Sequence, residues 1–183
     1  MQKSSQKWDM HRTEEKKKFN MGKEKMKEIT YLQGDALEPN DVNGRKIIFH
    51  ICNNIGGMGA GIARQIRFKW PIVYLKYLKL YEEKTLVLGD VQFVKVEKNL
   101  VVANMIAQES IGMKNGIPPI RYKSLEKCLK ILYNVSKKHN ASVVGPRIGC
   151  GFAGGKWEKI EPIIKENLCE KDIPVYIYDL WDN

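Results

Sequence analysis

Two rhythms of apolar and polar residues run along this chain. Short stretches rich in aliphatic and β-branched side chains stand at Glu28–Gln33, Ile47–Cys52, Val91–Val96, Leu100–Ile106, Ala141–Ile148 and Val175–Tyr178, and they predict strands. Ile47–Cys52, broken only by His50, reads as buried on both faces. Elsewhere apolar residues recur every three or four positions. Leu125, Leu129, Leu132 and Val135 form one stripe of a predicted helix over Tyr122–His139. Another is predicted from Ala60 to Lys69, ending at Trp70-Pro71 because a residue before proline avoids helical geometry. Pro71 suits the start of the next helix, which runs to about Tyr81. Trp157, Ile160, Ile164 and Leu168 mark a last helix. Pro162 would clash with a carbonyl four residues back, so a short turn at Trp157 and a restart near Pro162 are expected.

Strands and helices mostly alternate, with one hairpin turning at Lys98-Asn99. That order predicts an α/β domain with a mixed central sheet and helices on both faces, three layers in all. Ligands of such sheets sit beyond the carboxyl ends of the strands. Two predicted strands run there into glycine-rich loops that lead to helices: Gly56, Gly57, Gly59 and Gly61, then Gly149, Gly151, Gly154 and Gly155. Backbone N–H groups at a helix start are unpaired, the helix dipole adds positive charge, and glycine lets backbone approach a phosphate. Asn53 and Asn54 add amides able to bond sugar hydroxyls. A phosphorylated sugar or nucleotide gripped between the two loops is the expected ligand. Asp35, just past the first strand, suits an adenine amino group or a ribose hydroxyl, and equally suits a plain turn.

A hydrophobic content of 43% and 28% charged residues over 183 residues suit one soluble globular domain. No apolar run approaches the roughly 20 residues that span a bilayer, and residues 1–28 lack a signal-peptide core. A cytoplasmic monomer without membrane contact is expected. Cys52, Cys128, Cys150 and Cys169 show no paired metal-ligand spacing, so reduced thiols are expected, with no metal and no cofactor. The net charge is +10, of which residues 1–28, with nine Lys/Arg against five Asp/Glu, supply +4. Residues 1–27 are polar, lysine-rich and nearly without aliphatic side chains; a disordered tail is expected there, and a single domain over 28–183. The alternative for the tail is a basic arm for nucleic acid, with only Trp8 and Phe19 as interleaved aromatics.

Several stretches carry a resemblance. Ile29-Thr30-Tyr31-Leu32-Gln33-Gly34-Asp35, His50-Ile51-Cys52-Asn53, Gly57-Met58-Gly59-Ala60-Gly61-Ile62-Ala63 and Pro146-Arg147-Ile148-Gly149-Cys150-Gly151, with Trp157 and Val175-Tyr176-Ile177-Tyr178, resemble the macro domain family over about residues 28–181. Its members bind ADP-ribose and in many cases hydrolyse its derivatives. The branch most similar contains the ADP-ribosyl-glutamate hydrolases and the yeast-type ADP-ribose-1''-phosphate phosphatases. The resemblance implies ADP-ribose or an ADP-ribosylated substrate as partner. It implies Asp35 as the adenine-binding acid, with Ala36 as the backbone contact beside it. Asn53, Asn54, Gly56, Gly57, Met58, Gly59, Ala60 and Gly61 would surround the distal ribose and diphosphate. Gly149, Cys150, Gly151, Phe152, Ala153, Gly154 and Gly155 would close on the diphosphate, and Tyr178 to Leu180 would flank adenine.

Mechanism is where this chain departs from the pattern. The branch's ester hydrolases use a lysine at a strand end and an aspartate in the second loop; the matching positions are Gln108 and Ala153. Another branch uses an aspartate in its first loop, where this chain has Gly59. Gln cannot attack as an amine and Ala cannot take a proton. A water held near Asn54, with His50 as acid–base group, is the route left for hydrolysis or dephosphorylation, although a histidine in a buried strand also reads as a core residue. Cys150 shows no partner that would activate it, and Glu109 and Arg121 flank the loop bearing Gln108. A non-catalytic reader of ADP-ribose is the first alternative. A nucleic-acid-binding protein acting through its tail is the second.

Overall fold

The computed structural model describes residues 27–180, so the expectation for the tail falls outside the described residues except at Lys27. In chain order the elements are β1 (Thr30–Gln33), β2 (Arg45–Asn53), α1 (Gly61–Lys69), α2 (Pro71–Glu82), β3 (Val91–Glu97), β4 (Leu100–Gln108), α3 (Tyr122–His139), β5 (Ala141–Gly145), α4 (Trp157–Asn167) and β6 (Val175–Asp179), with a 3-10 turn at Cys169–Lys171. The strands form one sheet in the order β1-β6-β5-β2-β4-β3. All neighbouring pairs are parallel except β3–β4, the expected hairpin.

Successive side chains of a strand point to opposite faces, and β2 serves both. Ile47 and Phe49 pack under α3 and α4 with Leu125, Leu129, Leu132, Ile160 and Ile164. Ile48 and Cys52 pack under α1 and α2 with Ile66, Val73 and Tyr77. These two cores give the three layers, helices–sheet–helices. Because five strands are parallel, their carboxyl ends and the loops that follow gather along one edge of the sheet.

β2 and β4 run longer than expected, over Arg45–Asn53 and Leu100–Gln108, and three further departures from the sequence expectation have a local cause. β1 begins at Thr30 instead of Glu28, whose carboxylate is drawn to Lys165 at 2.7 Å. β5 stops at Gly145 instead of Ile148: Pro146 has no amide hydrogen for the ladder. A side chain at Gly145 would also stand 2.6 Å from the Phe49 ring. Finally, α4 runs unbroken through Pro162. Proline removes one bond, to Glu158, one turn into the helix, while fully buried Ile160 and Ile164 hold the turns on either side.

Candidate functional site

A cavity of about 530 Å³ opens at the carboxyl edge of the sheet. Both glycine loops line it, with the ends of β1 and β6 at one extremity and the ends of β2 and β4 at the other. The two loops thus face each other across one space.

The first loop is shaped by Asn53. A bulge between Cys52 and Asn53 shifts the register with β4, so that Asn53 pairs with Gln108, and its side chain turns to its own loop. Its Oδ1 accepts from the N–H groups of Ile55 (3.1 Å) and Gly57 (3.0 Å) and from the Tyr77 hydroxyl (3.0 Å), while Nδ2 donates to the Gly57 carbonyl at 2.7 Å. Burial pushes the Tyr77 hydroxyl well above the ordinary tyrosine range, so it stays a donor. The loop then enters α1, which has no side-chain cap and no acidic residue in its first turn. Ala60, Gly61, Ile62 and Ala63 all line the cavity. Among the described residues the other three helices lack a side-chain cap too, but only the α1 start lines the cavity, where its N–H groups favour an anion.

The second loop folds on its own backbone. The Gly155 N–H donates to the Gly149 carbonyl and the Gly154 N–H to that of Gly151, both at 2.8 Å. The Ala153 carbonyl accepts from the Ile120 N–H at 3.1 Å, which ties the loop to the segment after β4. Arg147 enters this loop with a bidentate ion pair to Asp179, both contacts 2.7 Å, and its guanidinium lies 5.0 Å from the Tyr31 ring and 5.4 Å from that of Trp157. This pair holds the Asp179 carboxyl below its usual range. Asp35 and Arg147 are the two charged residues among those lining the cavity. Asp35 Oδ1 accepts from the Leu37 N–H at 2.8 Å, so the residue shapes a turn as well as facing the cavity.

Of the residues named from sequence, Asp35, Ala36, Asn53, Gly57, Gly59, Ala60, Gly61, Gly149, Gly151, Phe152, Ala153 and Tyr178 line the cavity, and so do Gln108 and Leu180. The others are placed elsewhere. Met58 is in the core at 1% exposure and anchors its loop. Gly56 and Gly154 leave room for neighbours: a Cβ would meet the Tyr81 ring and the Pro118 side chain, each at 2.8 Å. Gly155 packs against the Gly149 carbonyl. Cys150 does not line the cavity, and partial burial pushes its thiol up, away from the nucleophilic thiolate.

The two residues expected to act in catalysis are also not on the cavity wall. Asn54 accepts the Ser110 N–H at 2.9 Å and donates its own N–H to the Gln108 carbonyl at 3.1 Å. It knots the first loop to the segment after β4. His50 is fully buried on the α1/α2 face, with Nε2 2.6 Å from Asn104 Oδ1. Asn104 in turn donates to Gln92 and Gln92 to the Lys76 carbonyl, a polar chain across β2, β4 and β3 to α2. Desolvation pulls the imidazole down to about 4, so it is neutral at pH 7. Glu109 and Arg121 are spent on each other at 2.7 Å.

The sequence reading missed Gly34, Ile51, Ile62, Ala63, Gln65, Ile111, Pro146, Arg147 and Ile148, which also line the cavity. Most adjoin a glycine run, so proximity was a usable signal. Ile111 had none, because a loop brings it across. Among the described residues no three His, Cys, Asp or Glu are grouped so as to hold a metal ion.

Comparison with known proteins places this geometry. The family model for the Macro domain matches residues 49–164. A solved structure of a protein of unknown function from Bacteroides thetaiotaomicron is 49% identical, with a TM-score of 0.81, covering 84% of this chain and 98% of that one. A macrodomain protein from Streptomyces coelicolor is 39% identical, TM-score 0.73, covering 83% and 99%. Among curated proteins, mouse chromodomain-helicase-DNA-binding protein 1-like is 29% identical over 82% of this chain, and a DNA ADP-ribosyl transferase–DNA ADP-ribosyl glycohydrolase fusion protein of Thermosipho africanus is 28% identical over 69%. The chain spans only 17% and 36% of their lengths. An ADP-ribose 1''-phosphate phosphatase of Lodderomyces elongisporus is 24% identical, over 82% of this chain and 99% of its own.

Proposed function

Since the chain belongs to the macro domain family, we propose that its cavity holds ADP-ribose and that it hydrolyses ADP-ribosyl linkages whose leaving group departs as a stable anion, a carboxylate or a phosphate. One observation carries the reading: two glycine loops face each other across one cavity, and the first leads into a helix start, Ala60 to Ala63, that itself lines that cavity. The diphosphate sits between the loops on main-chain amides, with adenine toward Asp35 and Tyr178 and the distal ribose toward Asn53 and Gln108.

The chemistry follows from what lines the distal end. The Asn53 amide is engaged with its own loop, Gln108 Nε2 donates to the Ser110 carbonyl at 2.9 Å, Ala153 and Ile111 are apolar, and none of the four exchanges a proton near neutral pH. A serine alkoxide or an amine needs a general acid to leave; a carboxylate or phosphate does not. Without a protein base, turnover forgoes roughly 10²–10⁴-fold of acid–base assistance, so it is slow. The relatives named as a phosphatase and a glycohydrolase support hydrolysis as a class.

Calorimetry with ADP-ribose tests the binding. A turnover panel tests the chemistry: glutamate-linked ADP-ribose and ADP-ribose-1''-phosphate are consumed, serine-linked ADP-ribose is not. Consumption of the serine linkage would require a proton donor at this site and overturn the proposal. Binding without turnover of any substrate would instead favour the reader, which Gln108 and Ala153 at the distal wall support.

A further inference from the structure

Large exposed apolar side chains gather around the distal end of the cavity. Ile55 belongs to the first loop, Phe152 to the second, and Ile111, Met113 and Ile117 to the segment between β4 and α3; they are 41%, 75%, 62%, 69% and 58% exposed. Tyr81, 45% exposed, stands against Gly56 of the first loop. The β4–α3 segment is a built projection. Lys114 and Ile117 exchange backbone bonds around Asn115-Gly116, both at positive φ, to form a small hairpin. Its base is fixed by the Gln108–Ile120 bridge and by Ser110, which Asn54 and Gln108 both bond. It touches both walls, since a Cβ on Gly57 would meet Ile111 at 3.0 Å and one on Gly154 would meet Pro118.

From this placement we infer that the rim docks the carrier of the ADP-ribosyl group, a polypeptide with apolar side chains beside the modified residue. The inference rests on the ADP-ribose reading, because with the adenine buried toward Asp35 the bond to the carrier emerges at the distal end. Exposed apolar side chains brought together on three neighbouring segments mark an interaction site. Charge argues for a polypeptide over a polynucleotide. From Glu109 to Arg121 the charged residues are Glu109, Lys114 and Arg121, and the first and last neutralise each other. One lysine is a poor match for a phosphate backbone, whose binding is dominated by neutralised phosphates.

The test measures affinity for free ADP-ribose and for three hydrolysis-resistant conjugates. Two are peptides bearing ADP-ribose on glutamine, flanked by leucine and valine or by serine; the third is an ADP-ribosylated single-stranded DNA oligonucleotide. The wild-type protein should bind the leucine/valine peptide about tenfold more tightly than the serine peptide, as burial of a few aliphatic groups allows. The Met113→Ser, Ile117→Ser double variant, which leaves the cavity wall untouched, should lose that preference and keep its affinity for free ADP-ribose. Equal affinity for the two peptides, or a preference the double variant retains, overturns the inference alone. So does DNA bound as tightly as the apolar peptide, or a wild-type dimer in sedimentation that the double variant dissolves. No binding of free ADP-ribose by the wild type overturns the underlying reading as well.

Discussion

The two glycine loops wall one cavity, yet side-chain amides shape the first and close packing of its glycines the second. The first hangs on polar groups: the Asn53 amide satisfies two loop N–H groups and one loop carbonyl, and Tyr77 reaches it from beneath. Asn54 ties it sideways to Ser110. The second is wedged by shape. Added methyls at Gly149, Gly154 and Gly155 would strike Ile51, Ile120, Ile160, Pro118 or backbone. In each loop one glycine stands apart with open space before it, Gly59 in the first and Gly151 in the second, and both line the cavity. A run of glycines therefore mixes residues required by packing with residues that keep a ligand's place clear. Only the neighbours tell them apart.

The largest expected effect falls on the open glycines. Gly59→Glu should weaken ADP-ribose binding roughly a hundredfold or more, since bulk and negative charge meet the diphosphate, while the melting temperature moves little. Calorimetry beside a thermal scan checks this, and Gly151→Glu should behave alike; unchanged affinity would mean the loops do not cradle the phosphates. Substitutions at the supports separate the loops. Asn53→Ala should destabilise the fold by about 2 kcal/mol in urea titration, because it strands the Ile55 and Gly57 N–H groups and the Gly57 carbonyl, while the Tyr77 hydroxyl keeps the Asn53 backbone carbonyl. Gly155→Ala should cost about 2 kcal/mol by crowding the Gly149 carbonyl at 2.7 Å. If Asn53→Ala proves neutral, the polar account of the first loop is wrong.

Acid should separate the two sides more gently. His50, in the strand beneath the first loop, has a folded pKa of about 4, below its ordinary 6.5. The unfolded chain binds that proton first, so stability is full above about pH 6.5 and falls as pH drops toward 4, by about 2 kcal/mol at pH 5. The Arg147–Asp179 pair under the second loop behaves differently. Asp179 is held below its usual range, so its contribution is present above about pH 3.8 and fades only as pH falls further. Hydrogen exchange at pH 5 should quicken around β2 and the first loop before the second. Removal of the pH 6.5–5 slope by His50→Gln would assign it to this residue, and an unaltered slope would not.

Much of the fold was legible in the sequence because each element announces its own period. The buried strands, the α3 stripe and the Trp70-Pro71 break depend on neighbours a few residues away. The misread places are those where local and distant forces compete. Ile148 prolongs the apolar run of β5, but Pro146 cannot continue a ladder and the chain turns toward the cavity. Pro162 should interrupt a helix, but packing of Ile160 and Ile164 carries α4 across it. At the site, both loops and Asp35 were visible, and the roles of Asn54, His50 and Met58 were not, because each depends on a partner distant in the chain or on the core around it: Ser110, Asn104, the α1/α2 core.

By itself, the sequence determined the order of strands and helices, the two strand–loop–helix units and the family they resemble, since all of these reside in local spacing and residue type. The tertiary structure alone set those two units on one sheet edge, spent the Asn53 amide on its own loop and that of Asn54 on Ser110, and brought Ile111 and Arg147 to the same cavity. Such assignments are made by contacts between residues up to a hundred positions apart, and spacing along a chain carries no record of which distant partner a side chain meets.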